Sequence, residues 1–204
     1  MAREVEVGSS RREPELLGQT VVVIGGSAGI GLETARRARI EGASVILTGR
    51  SRERLEGAAI AVGAARIAAF DANDAVSLDS FLDSLPSPID HVMVTAGAPH
   101  YGPALTMPVE EAKRGLTEHM LLALQVARGA AGKVRPLGSL IFMGGTGARR
   151  PRKGLAIAST ATVALPTLIA SLALELAPIR VNNNVVVGDA AVSAIKPIVS
   201  AMSV

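Results

Sequence analysis

Short apolar runs take turns with helical periods along this chain. Thr20 to Ile24 (TVVVI) is apolar and β-branched and ends at glycines, as a strand buried on both faces does. Gly29 to Glu41 predicts a helix that Gly42 stops. Ser44 to Thr48 (SVILT) predicts a second strand, and Ser51 is placed to cap a helix beginning RERLEGAA. Arg66 to Phe70 predicts a third strand. Asp71–Asp74 and a helix to about Leu85 follow, broken by Pro86 and Pro88. Ile89 to Val94, Ser139 to Met143 and a run opening at Ile179–Val181 predict three more strands. Helical stretches at Val109 to about Lys133 and Leu155–Ala177 separate them.

Strand and helix thus alternate about six times, which predicts an α/β fold: a Rossmann-like, doubly wound parallel sheet in three αβα layers. No repeat, low-complexity tract or linker divides the chain, so residues 1–204 are expected to form one domain. A polar extension (1–18) precedes it and a divergent tail (183–204) follows.

Composition narrows the chemistry. Phe70, Phe81, Phe142 and Tyr101 are the only aromatic residues, so the core must be aliphatic. The absence of cysteine removes disulfides, a thiol nucleophile and cysteine-ligated metal. His91, His100 and His119 lack metal-ligand spacing, so no metal is expected. A net charge of +3 without a basic run gives no reason to expect a nucleic-acid partner. The amino end mixes charges and has no apolar core of a signal peptide. Leu155 to Pro178 is long and apolar enough for a membrane span, but a helix buried between a sheet and a partner reads the same. The expectation is a soluble cytoplasmic protein with no membrane partner.

The first strand runs into Gly25-Gly26-Ser27-Ala28-Gly29-Ile30-Gly31, which opens a helix. A chain that turns sharply there, admits a pyrophosphate to its backbone N–H groups and packs helix on strand needs residues without a Cβ. The strand before it and the Ala-rich helix after it are the context that separates dinucleotide binding from an ordinary tight turn.

This G-x-x-x-G-I-G spacing resembles the short-chain dehydrogenase/reductase family, and further positions agree. Asp71, followed by Ala72, stands after the third strand, where the family places an acidic residue facing adenine. Ala96 and Gly97 retain half of the family's N-N-A-G turn, and Arg180-Val181-Asn182 matches its R-V-N. The resemblance spans roughly Leu17 to Asn182. It implies a dinucleotide held by Gly25, Ser27, Ala28, Gly29, Ile30, Gly31, Asp71, Ala72, Ala96 and Gly97. At the end of the second strand, Leu47-Thr48-Gly49-Arg50-Ser51 lacks the carboxylate that would hold NAD ribose hydroxyls. Arg50 offers a fixed charge to a phosphate and Ser51 a hydroxyl or N–H, which favours NADP(H). The alternative is a solvated arginine that merely begins a helix.

The family's catalytic pattern is not matched. Its Tyr and its Lys four residues later fall on Ala158 and Thr162, its Ser on Gly145, and its Asn near His119. Substitutes are Tyr101 and His100 in the AGAPHYGP loop, His119, and Thr146 in the GGTG turn. Each has a plainer reading: an aromatic filling a gap, an exposed imidazole, a helical hydrogen bonder, a loop hydroxyl. The C-terminal strand and helix of the family are also unmatched, so the sheet is expected to be truncated, with a tail that pairs, folds back or stays poorly ordered.

The resemblance therefore implies an NADP(H)-dependent oxidoreductase acting on a small carbonyl or alcohol through an atypical site. A catalytically inactive NADP(H)-binding or regulatory protein is the alternative, and an interaction protein keeping only the fold is a third. Family members usually pair through the helices that match Val109–Lys133 and Leu155–Ala177. The second of these is apolar nearly all round, so a homodimer is expected.

Overall fold

The computed structural model describes residues 13–145, 152–185, 198–199 and 202. Six parallel strands form one sheet: β1 (Thr20–Ile24), β2 (Ser44–Gly49), β3 (Arg66–Ala69), β4 (Ile89–Val94), β5 (Val134–Gly144) and β6 (Arg180–Val185). Their order is β3-β2-β1-β4-β5-β6, so the winding reverses beside β1, where doubly wound sheets open a crevice at their carboxyl edge. The helices between them are α1 (Gly29–Ile40), α2 (Arg52–Val62), α3 (Ala75–Asp83), α4 (Val109–Ala130) and α5 (Ala156–Glu175).

The layers follow from period-two alternation in the strands. Val22 and Ile24 of β1 face the α3, α4 and α5 layer, meeting Phe81, Val126 and Leu165 in one core. Val21 and Val23 face the other way and share a second core with Ala35 of α1 and Leu55 of α2. All four valines and isoleucines are fully buried, which is why the run TVVVI has no polar phase.

Several boundaries differ from those read in the sequence. β5 begins at Val134 rather than Ser139, because Val134 pairs with Ile89 of β4 ahead of an irregularity that takes in Pro136 and Gly138, and regular pairing resumes at Ser139. Leu137 there adopts φ 66°, and its N–H donates to the Pro178 carbonyl. β6 extends to Val185, so Asn183, Asn184 and Val185 belong to the sheet and not to a divergent tail. The described tail residues fold back. Ile198, Val199 and Met202 are buried against the α1–α2 face, with Val21, Met93 and Ile141 in the same core. The Arg180 guanidinium holds the Met202 carbonyl at 3.1 Å.

At the amino edge of the sheet, His91 is fully buried between Ser139 Oγ (2.8 Å from Nδ1) and Gln19 Oε1 (2.6 Å from Nε2). The amide oxygen accepts from Nε2–H, leaving Nδ1 to accept from the serine hydroxyl. Burial pushes this imidazole down to about 4, so it is neutral at pH 7.

Candidate active site

The carboxyl ends of β1 and β4 separate at the turn leaving β1. Gly25 and Gly26 donate their N–H groups to Thr48 O, and Thr95 and Ala96 donate theirs to Ile24 O. Thr95 Oγ1 donates to Gly25 O at 3.0 Å, tying the turn to the end of β4. Gly31 is required by this packing: a Cβ there would lie 2.6 Å from Thr95 Oγ1 and overlap the Gly25 carbonyl. Gly29 has φ +55° and nothing within 4 Å of where its Cβ would stand, so the turn is open on its outer side. Ala28, extended at the head of α1, gives no side-chain cap. The first N–H groups of that helix are left for an acceptor outside the helix.

That opening is a cleft of about 460 Å³ lined by Gly25, Ser27, Ala28, Arg50, Asp71, Ala72, Ala96 and Gly97, among others. Eight of the twelve sequence-derived binding residues thus line one space. The other four sit beside it. Ile30 packs into the α1–α2 core, Gly29 and Gly31 act through backbone and close approach, and Ser51 Oγ caps α2 by accepting from Arg54 N–H at 3.3 Å. Asp71 Oδ1 accepts from Asn73 N–H at 3.0 Å, which fixes the β3–α3 turn on the cleft wall.

Sequence reasoning missed Arg54. It lies one helical turn beyond Ser51, so spacing alone could have placed it beside Arg50. Arg52 is paired with Glu56 at 2.9 Å. The side chains of Arg50 and Arg54 have no ion-pair partner among the described residues, and both line the cleft. Glycine turn, uncapped helix start and two unpaired guanidinium groups together fit a phosphate-bearing dinucleotide.

A second cavity of about 390 Å³ adjoins the first beyond Gly97. Tyr101, His119, Met143, Gly145, Ala158, Ser159, Thr162 and Leu165 are among its lining residues. Two of the sequence-derived acid candidates, Tyr101 and His119, therefore share one cavity, while Thr146 lies outside the described residues. Tyr101 is 64% exposed. His100 lines the first cleft instead and is paired with Glu118 at 3.0 Å. Thr162 Oγ1 donates to Ala158 O at 2.7 Å within α5. Burial pushes the His119 imidazole below its ordinary value, with Glu118 opposing and His100 reinforcing the shift.

A parallel sheet in this order, opening at its switch point onto a glycine-lined cleft, defines a doubly wound α/β protein of the kind that takes ligands at that crevice. Residues 19–197 match the sequence model of the short chain dehydrogenase family, and the chain belongs to that family of oxidoreductases, whose members typically bind a nicotinamide dinucleotide. The chain is 31% identical over 189 residues to the short-chain dehydrogenase/reductase ATR9 of Stachybotrys chlorohalonatus, covering 83% of this chain and 73% of that protein. Among solved structures, a mutant short-chain dehydrogenase/reductase from Serratia marcescens superposes with a TM-score of 0.77 at 30% identity, covering 83% of this chain and 74% of the other. BdcA in complex with NADPH superposes at 0.76 with 26% identity, over 84% and 70%.

Proposed function

We propose that this protein binds NADP(H) and uses it for slow reduction of a small carbonyl compound, or the reverse oxidation, in the second cavity. The observation that carries this reading is the pair Arg50 and Arg54, without an ion-pair partner among the described residues, on the wall of a cleft beside a second cavity. A lone structural arginine on that edge would more simply pair as Arg52 does with Glu56. When bound, the nicotinamide supplies the hydride. The protein's part is to hold the phosphates at the glycine turn, seat adenine beside Asp71 and Ala72, and keep the substrate carbonyl among Met143, Ala158 and Leu165.

Slow turnover is proposed because Ala158 and Thr162 line the cavity at the family's Tyr and Lys positions, and neither can act as an acid near neutrality. The same two residues favour a second reading, a cofactor-binding protein without turnover. Titration with NADPH and NADH by nicotinamide fluorescence, followed by NADPH oxidation against a carbonyl panel, separates them. Tight NADPH binding with measurable oxidation supports the reductase. Binding with no oxidation selects the second reading, and no binding removes both.

We also propose a homodimer through α4 and α5. Only five of the twenty residues of α5 are buried, and Leu174, Val163 and Leu121 are 84%, 58% and 58% exposed on these helices. One two-fold contact along them would cover this apolar surface. A soluble cytoplasmic setting accords with α5 lying against the sheet through Leu165, Ile169 and Leu172.

A further inference from the structure

We propose that His119 is the proton donor to the substrate carbonyl oxygen, and the acceptor in alcohol oxidation; this rests on the reductase reading above. The three histidines divide cleanly by their hydrogen bonds. His91 has both ring nitrogens committed, to Ser139 and Gln19. His100 has Nε2 on Glu118. Among the described residues neither ring nitrogen of His119 has a partner, although much of the ring is buried and it borders the second cavity. A half-buried imidazole normally finds a partner, so one that faces a cavity uncommitted is available to a ligand.

Its position suits hydride chemistry. A Cβ on Gly97 would stand 2.9 Å from His119 Cε1 and 3.0 Å from Nε2, so the ring lies directly behind that backbone. Gly97 lines the dinucleotide cleft and His119 lines the adjoining cavity. The imidazole thus stands at the shared wall, where a carbonyl must sit to meet a hydride from one side and a proton from another. The competing hydroxyls are less suited. Thr162 Oγ1 already donates within its own helix. Tyr101 is mostly in solvent, and among the described residues no Lys or Arg lines the cavity to help a phenol ionise.

In reduction, the carbonyl carbon takes the hydride of a reduced nicotinamide and the π pair moves to oxygen. The imidazolium N–H proton goes to that oxygen, giving the alcohol and oxidised nicotinamide, and the imidazole regains a proton from solvent. Among the described residues, the charged and titratable groups around His119 are Glu118 beside it on α4, and His100 and Tyr101 from the loop after β4. α5 and β5 present Ala158, Thr162, Leu165, Met143 and Gly144, none of which titrates.

The test uses the full chain, NADPH and hexane-2,3-dione as the carbonyl probe. His119→Gln and His119→Phe should bind NADPH within about threefold of native yet lose roughly 10²–10⁴ in kcat/KM for the dione. Independently of turnover, NMR titration of the native protein should give His119 an ionisation below the ordinary histidine value. The reductive kcat/KM should fall about tenfold per pH unit above that same ionisation. Native-like rates in both His119 variants, or a kinetic ionisation that differs from the NMR one, would overturn the assignment and leave the reductase reading standing. NADPH binding without oxidation by the native protein overturns His119 and favours the non-catalytic reading. Failure to bind NADPH removes the nucleotide reading and His119 with it.

Discussion

Replacing Arg50 by alanine tests cofactor choice most directly. Arg50 follows β2 on the cleft wall, has no ion-pair partner among the described residues, and is solvent-exposed. A charge-assisted hydrogen bond to a phosphate is worth about 1.5–3 kcal/mol. Exposure and a screening length of about 8 Å at physiological salt put Arg50 at the lower end of that range. The expected loss is about 1.5 kcal/mol, roughly a tenfold weaker Kd for NADPH. NADH lacks the 2′-phosphate and should bind Arg50→Ala within about threefold of native. Because Arg54 lines the same cleft, the Arg50→Ala/Arg54→Ala pair should widen the loss to about 100-fold, and the native preference should shrink as salt rises. Fluorescence titrations of both cofactors at two ionic strengths provide the measurement. Equal native affinities, or an Arg50→Ala loss shared equally by NADH, would refute a phosphate-reading role and leave Arg50 a solvated surface charge.

Three further outcomes are expected. His91 is neutral in the fold, at about 4 against 6.5 in an unfolded chain, so the unfolded state binds the proton first as pH falls. Its contribution is complete above pH 6.5 and is lost on descending towards 4, a change of about 3 kcal/mol. Urea midpoints flat from pH 7 to 4.5 would contradict it. Leu174→Glu on the exposed side of α5 should convert the dimer to a monomer in light scattering, whereas a native monomer would refute pairing there. Met202 is 2% exposed against the α1–α2 face. Met202→Ala should therefore lower unfolding stability by about 2–4 kcal/mol, while a tail that is merely attached would show no change.

What the sequence determined by itself rests on local rules. A β-branched run without a polar phase, as in β1, is a strand covered on both faces, and six short strand runs separated by helical periods leave few topologies. The turn from Gly25 to Gly31 was legible for the same reason, since its glycines answer to backbone geometry within a few residues. So was Ser51, whose capping of α2 is a four-residue interaction. The beginning of β5 was not, because Val134 joins the sheet through Ile89 of β4 across an irregularity that holds Pro136 and Gly138, which locally argue for a loop. Nor could spacing rank Tyr101 against His119, eighteen positions apart in chain and joined only in space. Only the packing of α4 against α5 and the loop after β4 put both on one cavity, exposing the phenol and leaving the imidazole uncommitted. The fate of the tail was likewise tertiary. Ile198, Val199 and Met202 carry no strong local signal, and it is the bare α1–α2 side of β4 and β5 that gives their apolar surface somewhere to go.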